Sequence, residues 1–124
     1  MSDDRKPQLL LVDDESRILS ALRRALRREG YEIHLAETAA EALAVVETTR
    51  LDAVLSDYKM PGMTGLQLLV EVARLQPDAA RMIITGWNEE IAPADLERVG
   101  VQAVLSKPWD DADLKLALRK AMGG

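Results

Sequence analysis

The sequence has no cysteine and only one histidine, His34. The missing thiols exclude disulfide bonds and thiolate metal sites, and a single histidine excludes a two-histidine metal site. Phenylalanine is also absent, and aromatic residues make up only 3% of the 124 residues. No uninterrupted apolar run approaches the ~20 residues that a membrane-spanning helix needs. We therefore expect a soluble, cytoplasmic protein with no membrane partner.

Basic residues are fewer than acidic ones, 16 against 21, and the net charge is -5. This balance disfavours direct binding to nucleic acid, which needs a basic face. The first residues, MSDDRKP, lack the apolar core of a signal peptide. With 48% hydrophobic and 30% charged residues, the composition is that of a globular domain. We expect an N-terminal tail at 1–7 and a single domain at 8–124.

Strand-like apolar runs alternate with helix-like patterns five times along the chain. The strand segments are QLLLV (8–12), YEIHLAE (31–37), DAVLSD (52–57), RMIIT (81–85) and VQAVLS (101–106). Apolar residues at helical spacing follow each segment, ending the first helix near Gly30 and interrupting the fourth, at 88–100, near Pro93. This alternation predicts an α/β fold, with a parallel sheet covered by helices on both faces. Only 31–37 alternates between apolar and polar residues, so we place it at a sheet edge.

Polar side chains that can do chemistry stand where these strands end. They are Asp13 and Asp14 after the first strand, Asp57 at the end of the third, Thr85 at the end of the fourth, and Lys107 after the fifth. Binding sites of open parallel sheets form outside the carboxyl ends of the strands. We therefore expect these five side chains to converge at one edge of the sheet.

Three neighbouring carboxylates repel one another, and a hard divalent cation relieves that repulsion. The residues alone favour Asp14 and Asp57 as Mg²⁺ ligands, with the main-chain carbonyl of Lys59 as a third. Lys107 adds a fixed positive charge to the pocket, and Thr85 adds a neutral donor. A metal, an ammonium and a hydroxyl around one carboxylate suit a phosphoryl group, and carboxylates can form aspartyl phosphates. This pattern makes Asp57 the candidate nucleophile.

Four motifs contain these strand ends, namely LLLVDDE (9–15), LSDYKMPGMTGLQLL (55–69), IIT (83–85) and LSKP (105–108). Together they resemble the receiver domain of bacterial two-component response regulators. Their order and spacing match over about residues 8–122. The resemblance implies a (βα)5 doubly wound, three-layer sandwich with a five-stranded parallel sheet in the order 2-1-3-4-5. It also implies a signalling domain that catalyses only its own phosphotransfer and slow autodephosphorylation, rather than an enzyme.

The resemblance also implies a role for each residue of the site. Asp57 would accept a phosphoryl group from a sensor histidine kinase or a phosphotransfer protein. Asp13 and Asp14 would hold the required Mg²⁺. Thr85 would move to hydrogen-bond a phosphoryl oxygen, and Lys107 would pair with that group. The signal would then pass to a partner or a second copy through the fourth helix, fifth strand and fifth helix.

Two tryptophan motifs, TGW (85–87) and KPW (107–109), resemble a subgroup of receivers. Members of it are often attached to cyclic-di-GMP phosphodiesterase, other signalling or kinase domains, so an effector domain can lie outside this chain. Trp87 is expected to influence access to the phosphoryl group, and the side chain of Lys59 to influence its loss. The Lys-Pro bond at 107–108 is expected to be cis, as is usual in the family. Val104 departs from the family, which commonly has a Tyr or Phe there that swings inward on phosphorylation.

Three alternatives remain at this stage. Asp13 and Asp14 could simply cap the first helix. A phosphatase of the haloacid-dehalogenase type also uses a strand-end aspartate and magnesium, but it needs a second acid where Lys59 stands. A receiver-like module that is never phosphorylated is the third, although such modules usually lose an acidic residue or the lysine, and all five site residues are present here.

Overall fold

Strands and helices alternate throughout the computed structural model, which describes residues 6–86 and 89–122. Within these residues the elements are β1 (Gln8–Val12), α1 (Ser16–Ala25), β2 (Glu32–Ala36), α2 (Ala39–Thr48), β3 (Ala53–Asp57), α3 (Gly65–Leu75), β4 (Ala80–Thr85), α4 (Pro93–Val99), β5 (Val101–Ser106) and α5 (Asp111–Ala121). None of the helices in these ranges is both long and apolar enough to cross a membrane.

The five strands form one parallel sheet in the order β2-β1-β3-β4-β5. One face packs on α1 and α5, and the opposite face packs on α2, α3 and α4. The three-layer, doubly wound arrangement and the strand order are therefore confirmed. The strand order reverses between β1 and β3, and this reversal opens a crevice at the carboxyl edge of the sheet.

Burial along the strands follows from their positions in the sheet. Central β3 is buried at every residue, because helices cover it on both faces. The edge strands β2 and β5 contain exposed residues, and β5 alternates strictly between half-buried and exposed positions. The edge position predicted for 31–37 is confirmed, with the strand shortened to Glu32–Ala36. His34 on this strand is half-buried, and its Nε2 lies 2.7 Å from Gln8 Oε1.

Side-chain caps fix where α2, α3 and α5 begin, and at α5 the Asp110 carboxylate accepts from the N–H of Asp113. The Thr64 hydroxyl accepts from the N–H of Gln67, and the Gln67 side chain accepts from the N–H of Thr64, which completes the capping box of α3. Thr38 caps α2 by accepting from Glu41 N–H, but the Glu41 carboxylate accepts from Glu37 instead of Thr38. The box predicted from T-x-x-E is therefore only half formed at α2.

Two predicted helix boundaries are wrong. Pro93 is the first residue of α4 and does not interrupt an earlier helix, because the missing N–H of proline is no loss at that position. Helix α1 ends at Ala25 with Leu26 as its cap, well before Gly30. Gly30 instead supplies a left-handed conformation, with φ of 85°, in the connection to β2.

Candidate functional site

The carboxylates of the candidate site lie at the crevice where the strand order reverses. Asp13 directly follows β1, and Asp57 is the last residue of β3. Both are buried, with 1% and 6% of their surface exposed, whereas Asp14 faces solvent. Each of the three offers a carboxylate oxygen within 4.8 Å of the others. The structure thus brings together the three acids that the sequence places at strand ends.

Lys107 reaches this cluster from the end of β5. Its Nζ lies 3.0 Å from Asp13 Oδ2 and 3.3 Å from Asp57 Oδ1, so one ammonium pairs with both buried carboxylates. The peptide bond between Lys107 and Pro108 is cis, as expected. A single cation therefore offsets part, but not all, of the negative charge at the crevice.

The electrostatics of the pocket favour the protonated form of Asp57. Burial and, after it, the negative charge of Asp13 raise its pKa to about 6, and Lys107 opposes them only partly. Glu89 contributes a further, smaller upward effect. At Lys107 burial disfavours the charged ammonium, yet Asp13 and Asp57 outweigh it and raise the pKa of the lysine. The excess negative charge of the pocket therefore favours binding of a proton or another cation.

Thr85 lies at the end of β4, and its hydroxyl is bonded within the sheet. The side chain is largely buried, and Oγ1 donates to the carbonyl of Leu105 at 3.4 Å. The neighbouring Lys107 N–H donates to the Thr85 carbonyl at 2.8 Å, which ties the ends of β4 and β5 together. Val104 pairs with Ile83 in the sheet and is 45% exposed. A small apolar side chain is therefore exposed to solvent on the strand next to Thr85, the residue predicted to move.

An open cavity of about 580 Å³ lies over Asp57. Its lining combines acidic, basic and loop residues: Asp14, Glu15, Asp57, Lys59, Met60, Pro61, Gly86, Glu89 and Lys107. Lys59 is exposed at its rim, where the sequence places it. Trp87, the predicted access residue, lies outside the described residues.

The capping alternative for Asp13 and Asp14 does not match the start of α1. The cap residue of that helix is Glu15, and no side-chain hydrogen bond caps the helix. Asp13 Oδ1 accepts from the N–H of Glu15 at 2.9 Å, which orients the carboxylate. The other oxygen, Oδ2, is buried and lies 3.0 Å from the Lys107 ammonium, its ion-pair partner. Both oxygens of Asp13 are thus held in place beside the cluster.

The main chain of Asp57 is held by groups that the motif comparison did not single out. The Ser56 hydroxyl donates to the Asp57 carbonyl at 2.9 Å. Gly65, the first residue of α3, lies so close that a Cβ there would collide with the same carbonyl oxygen. Its N–H donates to the Tyr58 carbonyl at 2.7 Å. Glycine at this position therefore lets α3 begin directly against the strand end that carries Asp57.

Glu89 is a site residue that the sequence reasoning missed. Its Oε1 accepts from the Gly86 N–H at 2.6 Å, and it lines the cavity over Asp57. The signal available in the sequence was the acidic pair at 89–90, shortly after the fourth strand. Assigning 88–100 to a helix hid this signal, because it placed both acids on a helix instead of in the loop at the strand end.

Comparison with known proteins decides the family. The response regulator receiver domain matches residues 9–119. The chain belongs to this family. A response regulator receiver protein of Anaeromyxobacter sp. strain Fw109-5 is 42% identical over 80% of this chain and 42% of its own length. The hydrogenase transcriptional regulatory protein HoxA of Bradyrhizobium diazoefficiens is 37% identical over 92% of this chain and 24% of its own.

Solved receiver structures give the same answer. The crystal structure of the signal receiver domain of an HD domain-containing protein from Pseudomonas fluorescens Pf-5 is 36% identical, with a TM-score of 0.89 over 96% of both chains. The chain thus matches this receiver domain over 96% of its length, while it spans less than half the length of the curated relatives above. As a receiver domain, it has a phosphoacceptor role in two-component signalling. The phosphatase and the never-phosphorylated module are therefore set aside.

Proposed function

We propose that Asp57 is the residue that accepts the phosphoryl group, in a Mg²⁺-dependent transfer from a sensor histidine kinase or a phosphotransfer protein. The observation that carries this proposal is the buried Asp57 carboxylate at the strand reversal, 3.3 Å from the Lys107 ammonium and clustered with two more aspartates. Neither a helix cap nor a turn residue needs such a setting.

Asp13, Asp14 and Asp57 are the side chains that would hold the metal, with the Lys59 carbonyl as a main-chain ligand. Three carboxylate oxygens within 4.8 Å of one another form the hard oxygen set that Mg²⁺ prefers. The burial of Asp13, with Oδ1 held by the Glu15 N–H, fits the same role. When bound, Mg²⁺ offsets the carboxylate charge and stabilises negative charge on the transferring phosphoryl oxygens.

The proposed transfer forms one covalent bond to the protein and breaks one bond in the donor. A carboxylate oxygen of Asp57 forms a bond to phosphorus while the bond from phosphorus to the donor imidazole nitrogen breaks. The nitrogen leaves with the electron pair of that bond and takes a proton from solvent. Lys107 then pairs with the phosphoryl oxygens. Thr85 gives up its bond to the Leu105 carbonyl and donates to a phosphoryl oxygen, and Lys59 and Trp87 set how fast water removes the group.

The output would pass through the face formed by α4, β5 and α5, to a partner or a second copy of the chain. Val104, on β5, and Leu116, on α5, are 45% and 51% exposed there. Movement of Thr85 would release the Leu105 carbonyl on β5 and would act on Lys107 through the bond from its N–H to the Thr85 carbonyl. With Val104 in place of an aromatic ring, this strand-to-strand link carries the switch without a rotating side chain.

The domain is proposed to span 8–124 and to work in the cytoplasm within a longer regulatory protein, without touching DNA itself. HoxA is named a transcriptional regulatory protein, and the Pseudomonas fluorescens receiver comes from an HD domain-containing protein. Either kind of attached effector suits a domain of net charge -5 that acts through protein contacts. Slow autodephosphorylation would reset the switch.

Incubation with a small phosphodonor such as phosphoramidate tests this function. We expect the intact mass to rise by one phosphoryl group with Mg²⁺ and to stay unchanged with EDTA. Asp57→Asn should not be modified. Asp78→Asn is the matched control, because Asp78 is exposed and precedes β4 at the opposite edge of the sheet, and it should be modified like the wild type. Modification that survives in Asp57→Asn would refute the assignment.

A further inference from the structure

The Glu89 carboxylate accepts a hydrogen bond from a main-chain N–H in the lining of the cavity over Asp57. Oε1 of Glu89 accepts from the Gly86 N–H at 2.6 Å, and the Glu89 N–H is 3.4 Å from the Gly86 carbonyl in return. Gly86 follows Thr85 at the end of β4 and lines the cavity above Asp57, as does Glu89. The contact therefore closes residue 89 onto the strand end that faces the site.

The charge at this place is unfavourable for a second anion. Four acidic side chains but only two basic ones line the cavity, and Asp13 lies buried beneath it. The ion pairs among the described residues do not include Glu89, whereas Lys107 is already shared between Asp13 and Asp57. Phosphorylation changes Asp57 from one negative charge to about two. The repulsion between Glu89 and residue 57 must then grow.

We propose that Glu89 is an internal competitor of the phosphoryl group. Its carboxylate holds the Gly86 amide while Asp57 is unmodified, and releases it when Asp57 is phosphorylated. The N–H that is released then faces a cavity that contains new anionic acceptor oxygens. Glu89 thus lowers the affinity of the pocket for a phosphoryl group and sets the threshold for switching. This inference rests on the proposed phosphorylation of Asp57 and adds a residue that restrains it.

Beryllofluoride with Mg²⁺ is the probe, because it mimics a phosphoryl group on a carboxylate without a chemical step. Glu89→Gln keeps an acceptor for the Gly86 N–H but removes the charge, and Glu89→Ala removes both. Glu90→Gln and Glu90→Ala are the matched controls, because Glu90 is the exposed neighbour and does not line the cavity. We expect both Glu89 variants to bind the probe about three- to tenfold more tightly, as removal of one screened unit charge would cause. The Glu90 variants should stay within about twofold of the wild type.

The NMR signal of the Gly86 amide proton supplies a readout that does not depend on affinity. In the free protein, Glu89→Ala should shift this proton upfield and Glu90→Ala should not, because only Glu89 accepts its hydrogen bond. At saturating beryllofluoride, the Gly86 signals of the wild type and of Glu89→Ala should converge, since Glu89 has then left the amide in both.

Two results would overturn the inference while leaving the proposed function intact. One is equal affinity of the wild type and the Glu89 variants for a probe that the wild type does bind. The other is a Gly86 proton that keeps its free-state difference between wild type and Glu89→Ala at saturation. A wild type that fails to bind the probe at all would remove the proposed function and, with it, the competition.

Discussion

At the scale of single residues, the site carries more negative than positive charge. Asp13 and Asp57 are buried beside one shared ammonium, so the site contains a negative charge that water would otherwise solvate. Such a surplus favours any cation that enters the pocket. It also means that the carboxylates we propose for phosphoryl transfer lower the stability of the metal-free fold.

Asp57→Asn should therefore stabilise the metal-free protein at neutral pH. The folded-state pKa of Asp57 is raised from 3.8 to about 6, so the charged carboxylate costs stability in full above pH 6 and the cost fades as pH falls towards 4. Discounted for solvent screening, the gain should be about 1 to 2 kcal/mol at pH 7.5. Urea unfolding in EDTA across pH 4 to 8 measures it. A gain that does not change with pH would contradict this account.

Gly65→Ala should destabilise the fold although alanine is the better helix former. A Cβ at this position meets the Asp57 carbonyl, so either α3 or the end of β3 must move. We expect a loss of about 1 to 3 kcal/mol in the free energy of unfolding, as for overpacked buried sites. Unfolding curves of the variant and wild type decide it, and a stabilised variant would show that the contact relaxes freely.

At the scale of elements, the helices differ in how firmly the sequence fixes them. Helix α3 has 11 residues, a full capping box and four buried residues on its inner face. Helix α4 has 7 residues, starts at a proline without a side-chain cap, and buries only Val99. A helix with few buried contacts is drawn from the low-stability end of a fold, where switching elements are found.

Hydrogen exchange should therefore show that α4 is locally less stable than α3. We expect the amide protons of α4 to exchange at least about tenfold faster than those of α3, because α4 opens without unfolding the core. Exchange followed by NMR or mass spectrometry at neutral pH measures the ratio. Equal protection of the two helices would mean that α4 opens only with the whole domain.

The alternation of apolar runs with helical patterns was enough to predict every strand and the α/β class, because buried parallel strands consist of nearly continuous apolar residues. Polar residues at the strand ends predicted the site, and Asp13, Asp57 and Lys107 do meet in space. The family motifs added the strand order and the role of each site residue. Glu89 was missed because the acidic pair at 89–90 was assigned to a helix, whereas the folded loop brings the Glu89 carboxylate back to Gly86. Pro93 misled because a proline can start a helix as well as break one.

At the scale of the whole molecule, one edge of the sheet carries the chemistry and the core serves to hold that edge. Two apolar layers pack against the sheet from opposite faces, and the ends of β1, β3, β4 and β5 bring the site together. A metal ion held by Asp13, Asp14 and Asp57 would therefore link the ends of β1 and β3. Its binding energy should add to the stability of the entire domain.

Magnesium should accordingly raise the melting temperature of the wild type. Binding to the folded state alone stabilises by about 0.4 kcal/mol at a concentration equal to Kd and about 1.4 kcal/mol at ten times Kd. Asp57→Asn should respond much less, whereas Asp78→Asn should respond like the wild type. Thermal melts in EDTA and in increasing Mg²⁺ check this, and an equal response of all three proteins would place the metal elsewhere.

Reductive trapping of the phosphorylated protein tests the central claim most directly. Borohydride converts an aspartyl phosphate to an alcohol, so peptide mapping by mass spectrometry after phosphoramidate and Mg²⁺ treatment locates the acyl phosphate. We predict that homoserine replaces aspartate at position 57 alone, and that no such conversion occurs when Mg²⁺ is withheld. Conversion at Asp13 or Asp14, or a phosphorylated protein with position 57 unchanged, would contradict the account.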